Sequence, residues 1–144
     1  MMGNTALDSW LKIGDVSSQT GLSVKTIRYY EEMGLLAPTT TRSESGYRLF
    51  TPQALKRLAF IKRAQSLGLS LSEIHEILEV YDSGEIPCGA MKQHLLGKVE
   101  AINEQIAALQ MLKSELLGLL SGWQEPPPSD RLAQTICPNI QQIN

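Results

Sequence analysis

The chain has 144 residues, of which 42% are hydrophobic and 19% are charged, a composition typical of one folded domain that buries its own core. No apolar run approaches the ~18 residues of a membrane span and the first residues do not resemble a signal peptide, so the sequence predicts a cytoplasmic protein without a membrane partner. The net charge of −2 is unevenly distributed along the chain. Residues 1–70 carry nine Lys and Arg and five Asp and Glu, whereas residues 71–144 carry four Lys and Arg and ten Asp and Glu. A basic first half favours a nucleic-acid surface there.

A helix-turn-helix is predicted near the start of the chain. Residues 1–10 lack periodicity and are expected to form a flexible arm. The stretch KIGDVSSQTG indicates a short amphipathic helix that ends at Gly21, and Ser23 is a suitable N-cap for a second helix over residues 24–33. Two helices joined by a short turn that contains glycine form the helix-turn-helix pattern.

A β-hairpin and two further helices are predicted next. The stretch TTTRSESGYRLF indicates a hairpin, or wing, with its turn near Gly46. Thr51 as N-cap and Pro52 as the first helical residue begin one helix, and the capping box SLSE at residues 70–73 begins another. With the two preceding helices, these elements predict a winged helix-turn-helix domain over residues 11–82.

A long helix is predicted after a loop at residues 83–89 that contains Cys88. Over residues 90–121, apolar side chains recur mostly at alternating steps of three and four residues, which is typical of a coiled-coil seam. The seam residues are Leu95, Val99, Ile102, Ile106, Leu109, Leu116 and Leu120. A helix of this length cannot bury its stripe against itself, so a second copy of the chain is the expected partner. Residues 122–144 contain a proline-rich linker and a tail.

These segments together resemble the MerR family of transcription regulators. The resemblance rests on LKIGDVSSQTGLSVKTIRYYEEMGLLAP, the wing RSESGYRLF, the stretch ALKRLAFIKRAQSLGLSLSEI and the long helix, and it covers about residues 11–121 with a shorter echo at CPNI. It implies a mainly α fold, in which a winged helix-turn-helix DNA-binding domain precedes a long antiparallel coiled-coil dimerisation helix. It also implies a homodimer rather than an enzyme. Such a homodimer binds double-stranded promoter DNA and, with effector, distorts that DNA for RNA polymerase.

By this resemblance the second helix is a recognition helix that lies in the major groove. Lys25 and Arg28 share a face that can reach base edges or phosphates. Of the adjacent pair Tyr29 and Tyr30, we expect Tyr30 to direct its hydroxyl at a phosphate and the other to pack inward. The expected DNA contacts on this helix, on the wing and on the next helix are Lys25, Thr26, Arg28, Tyr29, Tyr30, Arg42, Gly46, Tyr47, Arg48, Lys62 and Arg63.

The two cysteines are the candidate effector site. By the resemblance, metal sensors that respond to divalent ions have cysteine at the position of Cys88, and Cys137 resembles the last cysteine of the family's metal loop. Thiolates suit Zn²⁺, Cd²⁺, Pb²⁺ or Hg²⁺, so we expect a soft divalent ion shared between subunits, with His94 as a further candidate ligand. The first cysteine of that loop is missing and Trp123 stands about there, so the site departs from the family pattern.

Other interpretations remain open for this chain. The thiols can form a redox or electrophile switch in which Cys88 reacts and Cys137 resolves, or they can be unreactive. An enzyme would have only Cys88 and His94 as nucleophile and base, without an evident Asp or Asn to orient them. A coiled-coil adaptor would account for residues 90–121 but not for the helix-turn-helix and the wing.

Overall fold

The computed structural model describes residues 10–141 and separates into two units between Leu96 and Gly97. The first unit contains β1 (Leu11–Lys12), α1 (Ile13–Thr20), α2 (Val24–Glu32), β2 (Thr40–Arg42), β3 (Arg48–Phe50), α3 (Gln53–Ser66) and α4 (Leu71–Asp82). The long helix α5 (Cys88–Ser121) begins in the first unit and continues into the second. This architecture confirms the predicted mainly α fold with a helix-turn-helix, a wing and a long C-terminal helix. Over the described residues, no helix combines the length and apolar character that crossing a bilayer requires.

The turn between α1 and α2 forms as predicted. Gly21 has a φ of 75°, a left-handed conformation that glycine adopts without steric cost, and its amide donates to the Ser17 carbonyl. The hydroxyl of Ser23 accepts the Thr26 amide at 3.1 Å and caps α2. Helix α2 therefore begins at a fixed residue, with one of its first amides satisfied by the cap.

Strands β2 and β3 form the predicted wing. They pair antiparallel with Arg42 opposite Arg48, and the turn between them closes at Gly46, whose φ is 87°. Strand β1, which the sequence did not predict, pairs antiparallel with β3 and places Leu11 opposite Phe50. Because Phe50 is fully buried, it anchors this three-stranded sheet to the core.

Helices α3 and α4 complete the core of the first unit. The predicted capping box of α4 is confirmed, because the Ser70 hydroxyl accepts the Glu73 amide and the Glu73 carboxylate accepts the Ser70 amide. The predicted cap of α3 is wrong in detail: the carbonyl of Thr51, not its hydroxyl, accepts the Ala54 amide, and Pro52 occupies the N-cap position. The largest fully buried side chains are Phe50, Ile27, Leu35, Leu36, Leu58, Ile61, Ile74, Ile77 and Val16.

Helix α5 begins two residues earlier than predicted. The carbonyl of Pro87 accepts the Met91 amide at 2.9 Å, so the connection from α4 ends at Pro87 and Cys88 is the first helical residue rather than a loop residue. The first turns of α5 pack Met91 and Leu95 against the core. Leu95, the first of the predicted seam residues, is therefore already partly covered by its own chain.

In the second unit, a pair of amide side-chain bonds closes the tail after α5. The Gln124 amide donates to Asn139 Oδ1 at 2.8 Å, and Asn139 Nδ2 donates back to the Gln124 carbonyl at 3.0 Å. We call this pair of residues the amide clamp. Within the loop that it closes, the amides of Ile136 and Cys137 both donate to Gln141 Oε1, at 2.8 and 2.9 Å. The segment that carries Cys137 is therefore held by its own hydrogen bonds.

Candidate nucleic-acid interface and metal site

A basic groove opens between α1, α2 and the wing. Its walls include Lys12 just before α1, Arg28 on α2, and Tyr47 and Arg48 on the wing, with Gly46 at the wing turn. Lys12, Arg28 and Tyr47 are exposed, and Tyr47 is 71% exposed. Cationic side chains and a phenol hydroxyl around a groove are suited to contact the phosphates of a nucleic acid.

The predicted face of α2 is partly available. Lys25 and Arg28 are three residues apart on the helix and both are exposed, so they point outward on neighbouring positions of one face. The Thr26 hydroxyl lies 2.8 Å from the Ser23 hydroxyl, so this side chain is engaged in the cap of α2. Lys25 and Arg28 are consequently the cations that α2 presents, and Thr26 helps to fix where the helix begins.

The structure reverses the expected roles of the two adjacent tyrosines. Tyr30 is 6% exposed and its hydroxyl donates to Gln65 Oε1, so Tyr30 is the one that packs inward. Tyr29 is 49% exposed and carries the outward-facing phenol. Burial raises the pKa of Tyr30 because the ionised phenol would lose solvation. The physical reason is helical spacing, since Tyr30 follows the fully buried Ile27 by three residues on the same face.

The wing arginines make contacts within the protein. The Arg48 Nε donates to the Glu31 carboxylate, and its Nη2 lies 3.9 Å from the Glu32 carboxylate. This ion pair joins the wing to α2, a positioning role that the sequence did not predict. Arg42 donates from Nη1 to the Gly46 carbonyl at 2.9 Å and closes the wing turn. Both arginines thus shape the wing in the free protein.

The cations Lys62 and Arg63 lie on the exposed face of α3. With Gln19 and Thr20 of α1 they border a second groove. The Arg63 guanidinium is 3.3 Å from the Ser66 hydroxyl, one turn further along the same helix. Both cations are exposed beside α1, so both remain candidate DNA contacts.

Lys12 is a candidate contact that was not among the predicted ones. Its side chain lines the basic groove with Arg28, and its amide donates to the Asp15 carboxylate at 3.2 Å, which helps to begin α1. The available signal was its position directly before the helix-turn-helix in the basic first half of the chain. Lys12 is a candidate because the start of α1 borders the same groove as Arg28.

The two thiols lie in different units. Cys88 is exposed at the first position of α5, and Cys137 is half-buried in the tail. Across residues 10–141, no three His, Cys, Asp or Glu side chains form a group that could hold a metal ion. One chain therefore supplies two soft thiolate donors without a complete set of ligands. Each thiol, once deprotonated, is a donor of the kind that soft metal ions prefer.

His94 contacts carboxylates rather than a thiol. Its Nδ1 lies 3.3 Å from Glu73 Oε2 and its Nε2 lies 3.4 Å from Glu76 Oε2. His94 lies six positions after Cys88 on α5, a rotation of about 240° around the helix axis. Both ring nitrogens consequently face α4. The expected role of His94 as a metal ligand is therefore corrected to a contact between α5 and α4.

Comparison with known families matches most of the chain. A profile described as "MerR HTH family regulatory protein" matches residues 11–80, and one described as "MerR, DNA binding" matches residues 55–119. The mercuric resistance operon regulatory protein of Bacillus cereus is 40% identical over 108 residues, which are 75% of this chain and 81% of that protein. The HTH-type transcriptional regulator CueR of Escherichia coli is 35% identical over 134 residues, 93% of this chain and 94% of that protein.

Solved structures give the same result. A transcription regulator from Ralstonia metallidurans in complex with lead(II) has a TM-score of 0.68 and 31% sequence identity, over 79% of this chain and 88% of that chain. A regulator that lacks a sensor domain and is bound to promoter DNA has a TM-score of 0.53 and 26% identity, over 78% and 84% of the two chains. The similar proteins are transcription regulators, which agrees with the prediction of a regulator rather than an enzyme.

Proposed function

Because this chain belongs to the MerR family of DNA-binding transcription regulators, we propose that it acts as a homodimer that activates a promoter when a soft divalent metal ion binds near Cys88 and Cys137. Residues 11–82 contact DNA, residues 90–121 join two copies, and residues 122–144 form the effector loop. Effector binding distorts the operator so that RNA polymerase can use the promoter. The proposed location is the cytoplasm, where promoter DNA lies in bacteria such as the hosts of these relatives.

The basic groove is the observation that carries the DNA-binding part of the proposal. It brings cations from two elements, Lys12 beside α1 and Arg28 on α2, to the same opening as the exposed Tyr47 of the wing. Phosphate contacts from several elements fix the register of a protein on the duplex, which leaves α2 to lie in the major groove. Tyr29 and Lys25 then extend the contact surface along α2.

The exposed stripe on α5 supports the homodimer. Val99, Ile102 and Ile106 are between 47% and 54% exposed in the single chain and are spaced as in a coiled-coil seam. A contiguous stripe of this kind is stable in water only when another surface covers it. A second copy of α5 supplies an identical stripe and also brings a second α2, which suits an operator with two half-sites about one helical turn apart.

The chemistry of the thiols supports the metal part. Cys88 is exposed and Cys137 is half-buried, and thiolates prefer soft ions such as Hg²⁺, Pb²⁺, Cd²⁺ and Zn²⁺. One similar protein is named for mercuric resistance, and another has been solved in complex with lead(II). A bound ion would supply a cross-link between thiolates. Because Cys88 is the first residue of α5, that cross-link would restrain the start of this helix.

Metal titration tests the effector part. The reduced protein is titrated with Zn²⁺, Cd²⁺, Pb²⁺, Hg²⁺ and Cu⁺ in a competing chelator, and the wild type is compared with Cys88→Ser and Cys137→Ser. We expect stoichiometric binding of a divalent ion by the wild type and an affinity weaker by about 100-fold or more in each variant, because each loses a thiolate ligand. Equal binding by all three proteins, or a preference for Cu⁺, would contradict the proposal.

Operator binding tests the DNA part, with fluorescence anisotropy on promoter fragments. Arg28→Ala should weaken binding by about 1–3 kcal/mol, or roughly 5- to 150-fold, because it removes a cation from the centre of the interface. The matched control is Lys92→Ala, which removes an equal charge from an exposed position of α5. Binding that does not distinguish Arg28→Ala from Lys92→Ala would favour a coiled-coil adaptor.

A thiol switch is the alternative effector mechanism, and the exposure of Cys88 supports it. Oxidation or capture of an electrophile at Cys88, with Cys137 as the resolving thiol, would change the same segment without a metal. Adding peroxide in the presence of a strong chelator separates the two mechanisms. If peroxide activates the promoter in the presence of the chelator and no metal ion does, the effector mechanism is thiol oxidation rather than metal binding.

A further inference from the structure

One buried side chain in the first unit connects three elements that the sequence keeps apart. Arg57 on α3 is almost completely buried, with 5% of its side chain exposed. Its Nε donates to the carbonyl of Leu35, and Nη1 and Nη2 donate to the two carboxylate oxygens of Asp82 at 2.6 and 2.9 Å. The guanidinium thus contacts the turn after α2 on one edge and the end of α4 on the other.

Leu35 is attached firmly to the recognition helix. Its amide donates to the carbonyl of Tyr30 at 3.0 Å, in the last turns of α2, and its side chain is fully enclosed in the core. A displacement of the Leu35 carbonyl is therefore a displacement of the C-terminal end of α2. Because the Arg57 Nε donates to this carbonyl, a movement of Arg57 on α3 acts on the end of α2.

Asp82 stands at the other end of this connection. It is the last residue of α4, and the five residues 83–87 separate it from Cys88. The connection is compact, since the amides of Gly84 and Glu85 donate to carbonyls of the last turn of α4 at 3.1 and 3.3 Å. A change at the start of α5 therefore acts on Asp82 through a short, hydrogen-bonded segment.

We propose that Arg57 is a positioning residue that couples the segment before Cys88 to the recognition helix through the path Asp82, Arg57 and Leu35. The guanidinium is planar and rigid, so its two edges cannot follow independent movements of their partners. A shift of Asp82 either breaks the bidentate bonds or carries the guanidinium, and with it the Leu35 carbonyl. Arg57 is buried whereas 32% of the Asp82 side chain is exposed, and an ion pair that takes one charge out of water gains little net stability from its Coulomb attraction.

This inference rests on the proposed function of α2 as the DNA-contacting helix and of Cys88 as the effector residue. Coupling between two sites is reciprocal, so DNA bound at α2 must alter the segment at residues 83–87 just as an effector there alters α2. The coupling can therefore be measured with DNA alone, without knowing the effector. Spatial continuity by itself does not establish coupling, which is why the experiment compares variants of the pair.

The experiment is hydrogen exchange of the full-length protein, with and without an operator fragment that the wild type selects from random-sequence DNA. In the wild type, we expect DNA to slow exchange at residues 83–87 by about 5-fold or more. In Asp82→Asn, which loses one of the two carboxylate acceptors, that effect should fall below about 2-fold, while the operator affinity stays within about 3-fold of wild type. Arg57→Lys, which keeps the charge without the planar fork, should behave in the same way if Asp82→Asn does not fold.

Two controls separate coupling from general destabilisation. Glu79→Gln removes a charge from the exposed face of α4, and Ile77→Val loosens the core without touching the ion pair. Both should retain the DNA-dependent protection of residues 83–87, even where exchange is faster overall. Full protection in Asp82→Asn and Arg57→Lys, or none in the wild type bound to DNA, would overturn the coupling alone. Failure of the wild type to select any DNA would overturn the proposed function and the coupling together.

Discussion

The two units differ in how far their apolar side chains are buried, with residues 10–96 forming one unit and residues 97–141 the described part of the other. The first unit has a core of fully buried large aliphatic and aromatic residues, such as Ile27, Phe50 and Ile77. The second unit leaves a stripe on α5 about half exposed, including Ile106 at 47% and Leu109 at 65%. The contrast teaches that the first unit is stabilised by its own core. The apolar stripe on α5, by comparison, is unfavourable in water unless another surface covers it.

The largest expected effect is in the enclosed core. Phe50→Ala should lower the free energy of unfolding by about 3–5 kcal/mol, because it leaves a cavity where β3 meets the helices. The measurement is urea denaturation at a fixed protein concentration. Ile136→Ala, at a side chain that is 97% exposed, should change the free energy by less than about 0.5 kcal/mol. Similar losses in both variants would erase the contrast between the two units.

A smaller effect is expected from the stripe on α5. Ile106→Ala should weaken the dimer by about 2–3 kcal/mol, or roughly 30- to 150-fold in the dissociation constant, because each of two copies loses methylene groups from the seam. Sedimentation over a dilution series measures this constant. Met111→Ala, also exposed but off the seam, is the matched control. If Met111→Ala weakened the dimer more than Ile106→Ala, another face of α5 would form the interface.

The adjacent residues Tyr29 and Tyr30 of α2 show the same contrast between an exposed and a buried side chain. Tyr29→Phe should weaken operator binding by about 0.5–1.5 kcal/mol, roughly 2- to 12-fold at constant salt, because it removes the exposed hydroxyl that faces DNA in the proposed complex. Tyr30→Phe should leave operator binding unchanged and lower the stability of the first unit slightly, because it removes the bond to Gln65. Anisotropy and denaturation of the same preparations measure both. The opposite pattern would restore Tyr30 as the DNA contact.

The smallest effect concerns alkaline pH. The pKa of Tyr30 is raised above its ordinary value of 10.0 by burial, so the folded state keeps the proton that the unfolded state releases. The contribution of the neutral phenol to stability is therefore present in full below about pH 10 and declines as the pH rises through and above that value. The difference in unfolding free energy between wild type and Tyr30→Phe should shrink accordingly. A difference that grows above pH 10 would contradict this.

Local signals made the helix-turn-helix, the wing and the capping box predictable. Gly21, Ser23 and Ser70 act on neighbours within a few residues, so their effects can be read from spacing alone. The inward direction of Tyr30 was also readable, because Ile27 precedes it by three residues on the same face. The two-residue strand β1 was not predictable, since it is too short to show periodicity and forms only because β3 is beside it.

Contacts between distant residues could not be derived from the sequence. Arg48 meets Glu31 across 17 residues and Arg57 meets Asp82 across 25, and no local pattern pairs these charges. The seam on α5 was predictable as a stripe, but the stripe does not say that Leu95 is covered by the same chain. Both cysteines could be identified as candidates from the sequence. Their contacts could not, because these depend on where α5 begins and on the hydrogen bonds that close the tail.

The amide clamp has a consequence for how sensitively the tail can respond. It closes a loop between residues 15 apart, and closing a flexible loop of that length costs about 2.4 kcal/mol of chain entropy. The free protein has already lost that entropy, so a ligand that engages Cys137 does not have to order the segment first. An energy of this size corresponds to about 60-fold in dissociation constant, which is the gain in affinity that the closed loop would give to the proposed ligand at Cys137 over an open tail.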